Sequence, residues 1–295
     1  MTKVSTSDGW ALALERRSPS APWATALLLP AMMADRRSLD RPAGAGLASA
    51  LVEAGVEVLL ADFRGHGASG PRWEEGGRWG YEELVERDLP ALVEAATRQA
   101  AGRPLWIAGH SLGGHVALAA VATGRCPAPA GMLLFAVNMW HRPHEPRRWR
   151  WALKLGAMAF MFGVAWIFGR FPARRLRVGP QDEDLRYVAD LWRYVRTGRW
   201  ASAAGEDYLA ACTKLGAWPR LSILGAGDRL YAHPAGAARF AEAVGAEVVI
   251  EGLETGLSFE PGHMGLVTDP RAAPAWARAI AWMRARTPGA PDELG

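Results

Sequence analysis

One serine of this chain sits in a pattern that few backbones can accommodate. Residues 109–113 read Gly-His-Ser-Leu-Gly, directly after the apolar run 104–108 and before the apolar, helix-forming run 116–121. A strand that turns sharply into a helix at a serine flanked by glycines is a nucleophile elbow, in which the glycines let strand and helix approach closely. The chain has 33 glycines, so the bare pattern also arises by chance, but the strand and helix patterns around it favour the functional interpretation.

An elbow of this kind has two chemical consequences. The serine adopts a strained backbone conformation and presents its hydroxyl, which makes Ser111 a candidate nucleophile. The N–H of the following residue opens the helix, where backbone donors are unpaired and the helix dipole is positive. We therefore expect the Leu112 N–H to act as a donor to an oxyanion.

Alternating strand and helix patterns predict an α/β fold with a mostly parallel sheet and helices on both faces. Buried strands are predicted at 24–29, 56–61, 104–108, 131–137, 221–226 and 246–250. Helices are predicted over 43–54, 80–101, 234–244 and 271–284, with Pro90 as a kink or break. Residues 2–16 alternate around Asp8-Gly9, which predicts an antiparallel N-terminal hairpin.

The alternation stops once, between residues 138 and 219. This stretch is rich in Trp, Arg and helical patterns and is too long for a loop in a compact domain, so it predicts a helical cap inserted into the core. The core is then formed by residues 1–137 and 220–286. Residues 287–295 contain two prolines and two glycines and are predicted to be a disordered tail.

A serine nucleophile needs a base to take its proton and an acid to orient that base. Asp228 follows the predicted strand 221–226, and His263 follows the last predicted strand. The order Ser, Asp, His is the one expected for a nucleophile elbow on such a sheet. The alternatives are a turn or helix-capping carboxylate for Asp228 and a surface loop histidine for His263.

A second oxyanion donor is expected from the loop after the strand 24–29. Pro30 has no N–H, so Met32 is the preferred donor and Ala31 the second choice. Packing of the loop methionines beneath the cap is the alternative.

The remaining histidines are interpreted as structural. His110 and His115 are assigned to packing and His66 to a Gly-rich structural loop. The histidines, cysteines and carboxylates do not combine into the spacing of a metal site, so we expect no metal and no cofactor.

Composition limits the partners and the compartment. The net charge of +4 comes almost wholly from arginine, which is a weak signal, and we expect no nucleic-acid partner. The N-terminus lacks the apolar core of a signal peptide and the two cysteines fit a reducing compartment, so a cytoplasmic location is expected. The oligomeric state stays open.

The uncharged run 155–169 in the cap has two interpretations. At 15 residues it is shorter than the roughly 20 that a membrane span needs. It is either a helix buried between cap and core, or its bulky side chains also roof an apolar acyl pocket over Ser111. Met158, Phe162 and Trp166 are the preferred pocket residues among these side chains, which are Met158, Phe160, Met161, Phe162, Trp166 and Phe168. The arginines on both sides of the run leave peripheral contact with a membrane as a further possibility.

Several of these features resemble one superfamily. The elbow, the run Asp-Phe-Arg-Gly-His-Gly-Ala-Ser at 62–69, the Asp8-Gly9 hairpin, Asp228 and His263 resemble the α/β-hydrolase superfamily, near its monoacylglycerol-lipase-like and serine-aminopeptidase-like members. Pro-Ala-Met at 30–32, where many relatives have His-Gly, and the cap runs 171–176 and 192–194 resemble an uncharacterised bacterial group of predicted α/β hydrolases. The resemblance implies a hydrolase without naming its substrate.

The expected activity is therefore that of a serine hydrolase. It would cleave a small-molecule carboxylic ester or thioester, with an apolar acyl chain, through an acyl-enzyme formed on Ser111. His263 would move the proton and Asp228 would fix its tautomer. An acyltransferase using the same residues and a non-catalytic binding protein with this fold are the alternatives.

Overall fold

The computed structural model describes residues 1–291 of the chain. Its strands are β1 (Thr2–Ser5), β2 (Ala11–Arg17), β3 (Ala24–Leu29), β4 (Val56–Ala61), β5 (Leu105–His110), β6 (Gly131–Phe135), β7 (Arg170–Phe171), β8 (Glu183–Asp184), β9 (Arg220–Gly225) and β10 (Glu247–Glu251). Its α-helices are α1 (Leu47–Glu53), α2 (Tyr81–Glu83), α3 (Leu89–Ala100), α4 (Leu112–Ala122), α5 (Arg148–Phe168), α6 (Ala173–Leu176), α7 (Leu185–Thr197), α8 (Tyr208–Thr213), α9 (Pro234–Ala243), α10 (Gly265–Thr268) and α11 (Ala273–Ala285).

One large sheet organises the molecule, with strand order β1-β2-β4-β3-β5-β6-β9-β10. The pairs β1–β2 and β2–β4 are antiparallel, and every later pair in this order is parallel. The predicted α/β fold, with a mostly parallel sheet and an antiparallel N-terminal hairpin, is confirmed.

The sheet separates two apolar clusters because successive side chains of a strand point to opposite faces. On β3, Leu27 and Leu29 belong to the cluster that contains α3 and α4, whereas Ala26 and Leu28 belong to the cluster that contains α1 and α11. The central strands are buried on both faces, which explains why they read as continuous apolar runs in the sequence.

The helix predicted over 80–101 contains one irregular turn. Short α2 leads into a π-helical turn at Leu84–Asp88, and α3 follows from Leu89 without leaving the helical conformation. Pro90 comes directly after this wider turn, which accommodates a residue that has no N–H to donate. The proline therefore marks a local irregularity and does not end the helix.

Residues 138–219, which we call the cap segment, contain α5 to α8 and the small β7–β8 hairpin. The long helix α5 packs against α7 and β7. It extends well beyond the uncharged run, because its first two turns contain Arg150 and Lys154. Both side chains are buried and pair with the buried Glu145, each at 2.9 Å.

The structure differs from the sequence prediction at the first residue of the expected tail. Thr287 is buried, and its hydroxyl accepts a hydrogen bond from Trp106 Nε1 at 3.0 Å while donating to the Met283 carbonyl at 2.8 Å. The packed core therefore extends through Thr287. The last part of the predicted tail, residues 292–295, lies outside the described residues.

Candidate active site

Ser111 lies at the sharp turn between β5 and α4, with φ 49° and ψ −113°. The turn is held by two backbone hydrogen bonds, from Ser111 N–H to the Phe135 carbonyl and from Gly113 N–H to the Pro30 carbonyl. A Cβ on Gly113 would lie 2.5 Å from the Leu29 carbonyl oxygen, and one on Gly109 would lie 2.4 Å from the Gly114 Cα. The strained serine and the required glycines are those of a nucleophile elbow.

Asp228 and His263 form a hydrogen-bonded pair next to this elbow. His263 Nδ1 lies 2.7 Å from Asp228 Oδ2, and the carboxylate also accepts hydrogen bonds from the Leu230 and Ala232 N–H groups. Burial alone would raise the pKa of Asp228, but these donors outweigh it and leave the pKa below its ordinary value. The ionised carboxylate places a proton on His263 Nδ1, so Nε2 is free to accept one.

The nucleophile candidate and the histidine line the same cavity. Ser111 Oγ forms no hydrogen bond with another residue in the described range, and bonds of this kind often tighten only when substrate binds. The three residues predicted from the sequence are thus brought to one place in the fold.

His110 does more than the packing role predicted for it. Its Nε2 lies 3.0 Å from the His263 backbone carbonyl, and its ring is fully buried against the His263 ring. Burial, together with the neighbouring His263, lowers the pKa of His110 to about 3, so the ring is neutral and Nε2–H donates this bond. His110 therefore holds the loop that carries His263, and the sequence gives no signal for this contact.

The two expected oxyanion donors lie on either side of the elbow. Leu112 is the first residue of α4, and within residues 1–291 neither its N–H nor that of Met32 forms a hydrogen bond. The next N–H group along the chain is occupied in each case, since Gly113 donates to the Pro30 carbonyl and Met33 donates to the Glu183 carboxylate. Assignment of Leu112 and Met32 as oxyanion donors stays a prediction that this arrangement permits.

Glu183 of the cap segment fixes the loop that contains Met32. Its Oε1 accepts the Met33 N–H at 2.6 Å and lies 3.2 Å from His66 Nε2. His66 Nδ1 faces the Arg64 carbonyl at 2.8 Å and must donate to it, so Nε2 can face a carboxylate favourably only when it is also protonated. Burial alone would lower the pKa of His66, but the Glu183 charge outweighs it and raises the pKa.

A second residue of the cap segment reinforces this contact. Gln181 donates its backbone N–H to the Met33 carbonyl at 3.1 Å and its side-chain amide to Asp35 at 2.9 Å. Sequence reasoning missed both Glu183 and Gln181, because the contacts join residues about 150 positions apart and no local pattern marks them.

Two cavities meet at Ser111. The larger, of about 500 Å³, is also lined by His263, Arg177 and Tyr231. The smaller, of about 270 Å³, is mainly apolar. Its lining includes Met32, Met33, Ser111, His115, Asn138, Met139, Trp140, Ala157, Met158, Phe160, Met161, Phe171, Val178, Leu191, Val195 and Tyr231.

The structure places one of the three preferred pocket residues at the smaller cavity. Met158 lines the smaller cavity, but Phe162 instead stacks on Trp192 and Trp166 is 71% exposed to solvent. Each step of four residues turns a helix by about 40° beyond a full turn, so two steps carry Trp166 off the inner face. Met161, one turn from Met158, takes the position that the prediction gave to Phe162.

A chain of two hydrogen bonds ends at His115, which lines the smaller cavity. Trp200 Nε1 lies 3.1 Å from the Tyr81 hydroxyl, which lies 2.9 Å from His115 Nδ1. The indole only donates, and His115 Nδ1 is the one acceptor that the described residues offer to the buried Tyr81 proton. The tyrosine oxygen therefore accepts from Trp200 and donates its own proton to His115 Nδ1. Burial lowers the pKa of His115 to about 3, so the ring is neutral and carries its proton on Nε2.

The family model for serine aminopeptidases of the S33 type matches residues 43–252, well over half of the chain. The chain belongs to this family. Membership places it in the α/β-hydrolase superfamily, in agreement with the sheet, the elbow and the resemblance stated above. Among curated protein sequences, none matches this chain significantly.

Solved structures of hydrolases share the fold over nearly the whole chain. A soluble variant of monoglyceride lipase from Saccharomyces cerevisiae, in complex with a substrate analogue, aligns with a TM-score of 0.67 and 16% identity, covering 97% of this chain and 96% of that one. Est1E from Butyrivibrio proteoclasticus, with ferulic acid bound, gives 0.65 and 16% identity over 97% and 99%. A hydrolase from Pseudomonas aeruginosa gives 0.58 and 23% identity over 95% and 97%.

Proposed function

We propose that this S33 family member is a serine hydrolase that cleaves a carboxylic ester or thioester through an acyl-enzyme. The observation that carries the proposal is the Asp228–His263 hydrogen bond of 2.7 Å beside a cavity that Ser111 also lines. A strained serine at an elbow, a histidine with Nε2 free and a buried ionised aspartate are the parts that acyl transfer needs.

The reaction follows from these positions. Ser111 Oγ attacks the substrate carbonyl and gives its proton to His263 Nε2, while the Leu112 and Met32 N–H groups stabilise the tetrahedral oxyanion. Collapse breaks the bond to the leaving group, which takes the proton from His263. Water then repeats both steps on the acyl-serine and releases the acid, with Asp228 stabilising the charged histidine throughout.

The two cavities divide the substrate between them. His263 protonates the leaving group, so that group belongs in the larger cavity, which His263 and Arg177 line. The acyl chain then enters the smaller cavity between Met158 and Met161. Its mainly apolar lining supports an apolar acyl group.

Ester cleavage is favoured over the peptide cleavage in the family description by the charge of the site. An aminopeptidase must bind a protonated α-amine, for which a carboxylate is the usual partner. Among the described residues that line the two cavities, none is Asp or Glu. Two structural neighbours, Est1E with bound ferulic acid and a monoglyceride lipase, agree with an ester substrate.

Labelling and turnover test the proposal together. The parent should react with a fluorophosphonate probe and hydrolyse short p-nitrophenyl esters, whereas Ser111→Ala should lose labelling and at least a thousandfold in kcat. Ser18→Ala, at an exposed serine outside the site, is the matched control and should behave as the parent. A folded parent that neither labels nor turns over would favour a non-catalytic binding protein. Transfer of the acyl group to an alcohol in preference to water would favour an acyltransferase.

A further inference from the structure

The outer side of α5 exposes an unusual amount of apolar surface. Six large side chains of this one helix are between 56% and 71% exposed: Trp149, Leu153, Phe160, Trp166, Ile167 and Phe168. We call these six residues the cap apolar face. No charged residue interrupts the chain between Leu155 and Gly169, so nothing polar breaks up the second half of this face. Contiguous exposed apolar patches of this kind mark binding surfaces.

The polarity of α5 is reversed relative to a helix that faces water. Two of its three charged residues, Arg150 and Lys154, point inward and are buried against Glu145, while four of its six aromatic residues are exposed. A surface helix of a soluble protein normally turns its charged side to solvent. The outer side of α5 therefore fits an apolar environment better than water.

Arginines stand at both ends of this helix. Arg147 and Arg148 lie at its start, and Arg174, Arg175 and Arg177 follow its end. All five are exposed, and none forms an ion pair with a residue in the range 1–291. On either side of Arg177, the apolar Leu176 and Val178 are 43% and 60% exposed. An apolar face bounded by unpaired cations complements a membrane surface, where acyl chains lie beneath anionic headgroups.

We propose that the cap apolar face docks the protein onto the surface of a bilayer that contains anionic lipid. Trp166, Ile167 and Phe168 enter the boundary between headgroups and acyl chains, and the flanking arginines contact lipid phosphates. Docking does not depend on the proposed chemistry at Ser111.

The helix lies on the bilayer and does not cross it. At 21 residues, with an 18-residue window of mean hydropathy 1.6, α5 is long and apolar enough to span by length and composition alone. Its inner side, however, is tied to Glu145 by Lys154 and Arg150 and lines the smaller cavity through Met158 and Met161. Crossing the bilayer would break the buried ion pairs and remove one wall of the site, at a large cost in desolvated charge.

The docking face is continuous with the smaller cavity. Phe160 and Val178 are both well exposed, and both also line the cavity that contains Ser111. A docked molecule therefore opens this cavity toward the bilayer. If the proposed function holds, an acyl chain passes from the lipid to Ser111 without crossing bulk water.

Vesicle flotation tests the apolar part of the contact. Parent protein should float with vesicles of phosphatidylcholine containing about a third phosphatidylglycerol, and Trp166→Ser/Phe168→Ser should bind at least tenfold more weakly because two large apolar groups no longer leave water. Ile250→Ser/Leu253→Ser is the matched control, since these residues are also exposed apolar side chains but lie outside the cap segment. The control should bind as the parent does.

Charge reversal tests the electrostatic part. Arg174→Glu/Arg175→Glu should weaken binding to the anionic vesicles on the order of fivefold or more for each charge, and added salt should erase this difference. Arg41→Glu/Arg98→Glu, at exposed arginines outside the cap segment, should have a much smaller effect. Circular dichroism and fluorophosphonate labelling show that each variant is folded, and labelling also reports separately on the proposed function.

Three results would overturn docking. A parent that does not float with anionic vesicles, or variants that float equally well, would exclude lipid as the partner of this face. Protein that resists extraction at alkaline pH from membranes would mean that α5 spans. Sedimentation showing a dimer that Trp166→Ser/Phe168→Ser dissociates would mean that a second copy covers the face.

Discussion

The carboxylate of Glu183 accepts a hydrogen bond of 2.6 Å from the Met33 N–H. A residue of the cap segment thereby fixes the orientation of a peptide group one position away from the proposed oxyanion donor, Met32. Met33 itself has a positive φ of 57°, a conformation that costs free energy and needs support from its surroundings. The cap segment thus helps to shape the loop that contains the proposed oxyanion donor, as well as cover it.

Glu183→Ala should lower kcat without a matching rise in KM. The loss of the carboxylate frees the Met33 N–H and lets the Met32 donor move, and misplacement by about 1 Å costs on the order of 100-fold in rate. Glu183→Gln keeps an acceptor for the Met33 N–H and should retain much more activity. Steady-state kinetics on a short ester measure both. Equal losses in the two variants, or a change in KM alone, would argue against a role in positioning the oxyanion loop.

The His66–Glu183 pair should make stability depend on pH on the alkaline side. The folded state raises the pKa of His66 above its unfolded value of about 6.5, so the pair contributes fully below that value and its contribution is lost as pH rises through the folded pKa. Urea unfolding of the parent should show this loss above neutral pH. His66→Gln, which carries no titrating group, should flatten the profile in this window. The same alkaline loss in His66→Gln would assign the effect to another group.

Substitution of glycine by alanine should have opposite effects on stability at Gly113 of the elbow and at Gly156 of α5. Gly113→Ala places a Cβ 2.5 Å from the Leu29 carbonyl oxygen and should destabilise the fold by about 1–3 kcal/mol. Gly156→Ala is the matched control, because nothing lies within 4 Å of its added Cβ in the middle of α5, and it should stabilise by about 0.5–1 kcal/mol. Thermal unfolding of the two variants measures the difference, and equal shifts would contradict it.

Acyl-chain preference should depend on the methionines of α5 and not on its exposed tryptophan. Each buried methylene contributes about 0.8 kcal/mol, so kcat/KM should rise from p-nitrophenyl acetate through butyrate to octanoate. Met158→Ala and Met161→Ala should reduce this preference because both side chains line the smaller cavity. Trp166→Ala, assayed on dissolved substrate without vesicles, should leave it unchanged. A flat profile in the parent would place the acyl group elsewhere.

The tautomer of His115 predicts which acyl groups the smaller cavity prefers. Because Tyr81 donates to Nδ1, the neutral ring carries its proton on Nε2, and His115 lines the smaller cavity one helical turn from Ser111. An acyl group with an oxygen acceptor close to its carbonyl should therefore be preferred over the unsubstituted chain of equal length. His115→Phe should reverse this order, because the variant has no Nε2–H that loses a hydrogen bond when the unsubstituted chain binds. The expected change in the ratio of kcat/KM values corresponds to about 1–3 kcal/mol. Competition between such a pair of esters measures the ratio.

Local patterns predicted the parts of the site that lie where strands end. Ser111 and Asp228 follow buried strands, and parallel strands bring their carboxyl ends to one edge of the sheet, so their positions follow from the order of elements. The Glu183–Met33 contact did not follow, because it depends on how a long insertion folds back over the core. Trp166 was placed on the wrong face of α5, because residues four apart differ in direction by about 40° and the difference adds up over two such steps from Met158.

The hydrogen bonds from Glu183 and Gln181 to the loop at Met33 and Asp35 also limit which cap segments could replace the present one in an engineered chimera. A grafted cap without an acceptor at the position of Glu183 would leave the Met33 N–H unpaired and the His66 charge without its counter-ion, even if every apolar contact were restored. Cap segment and loop therefore form one structural unit, and an exchange of caps has to carry the residues that hold the loop.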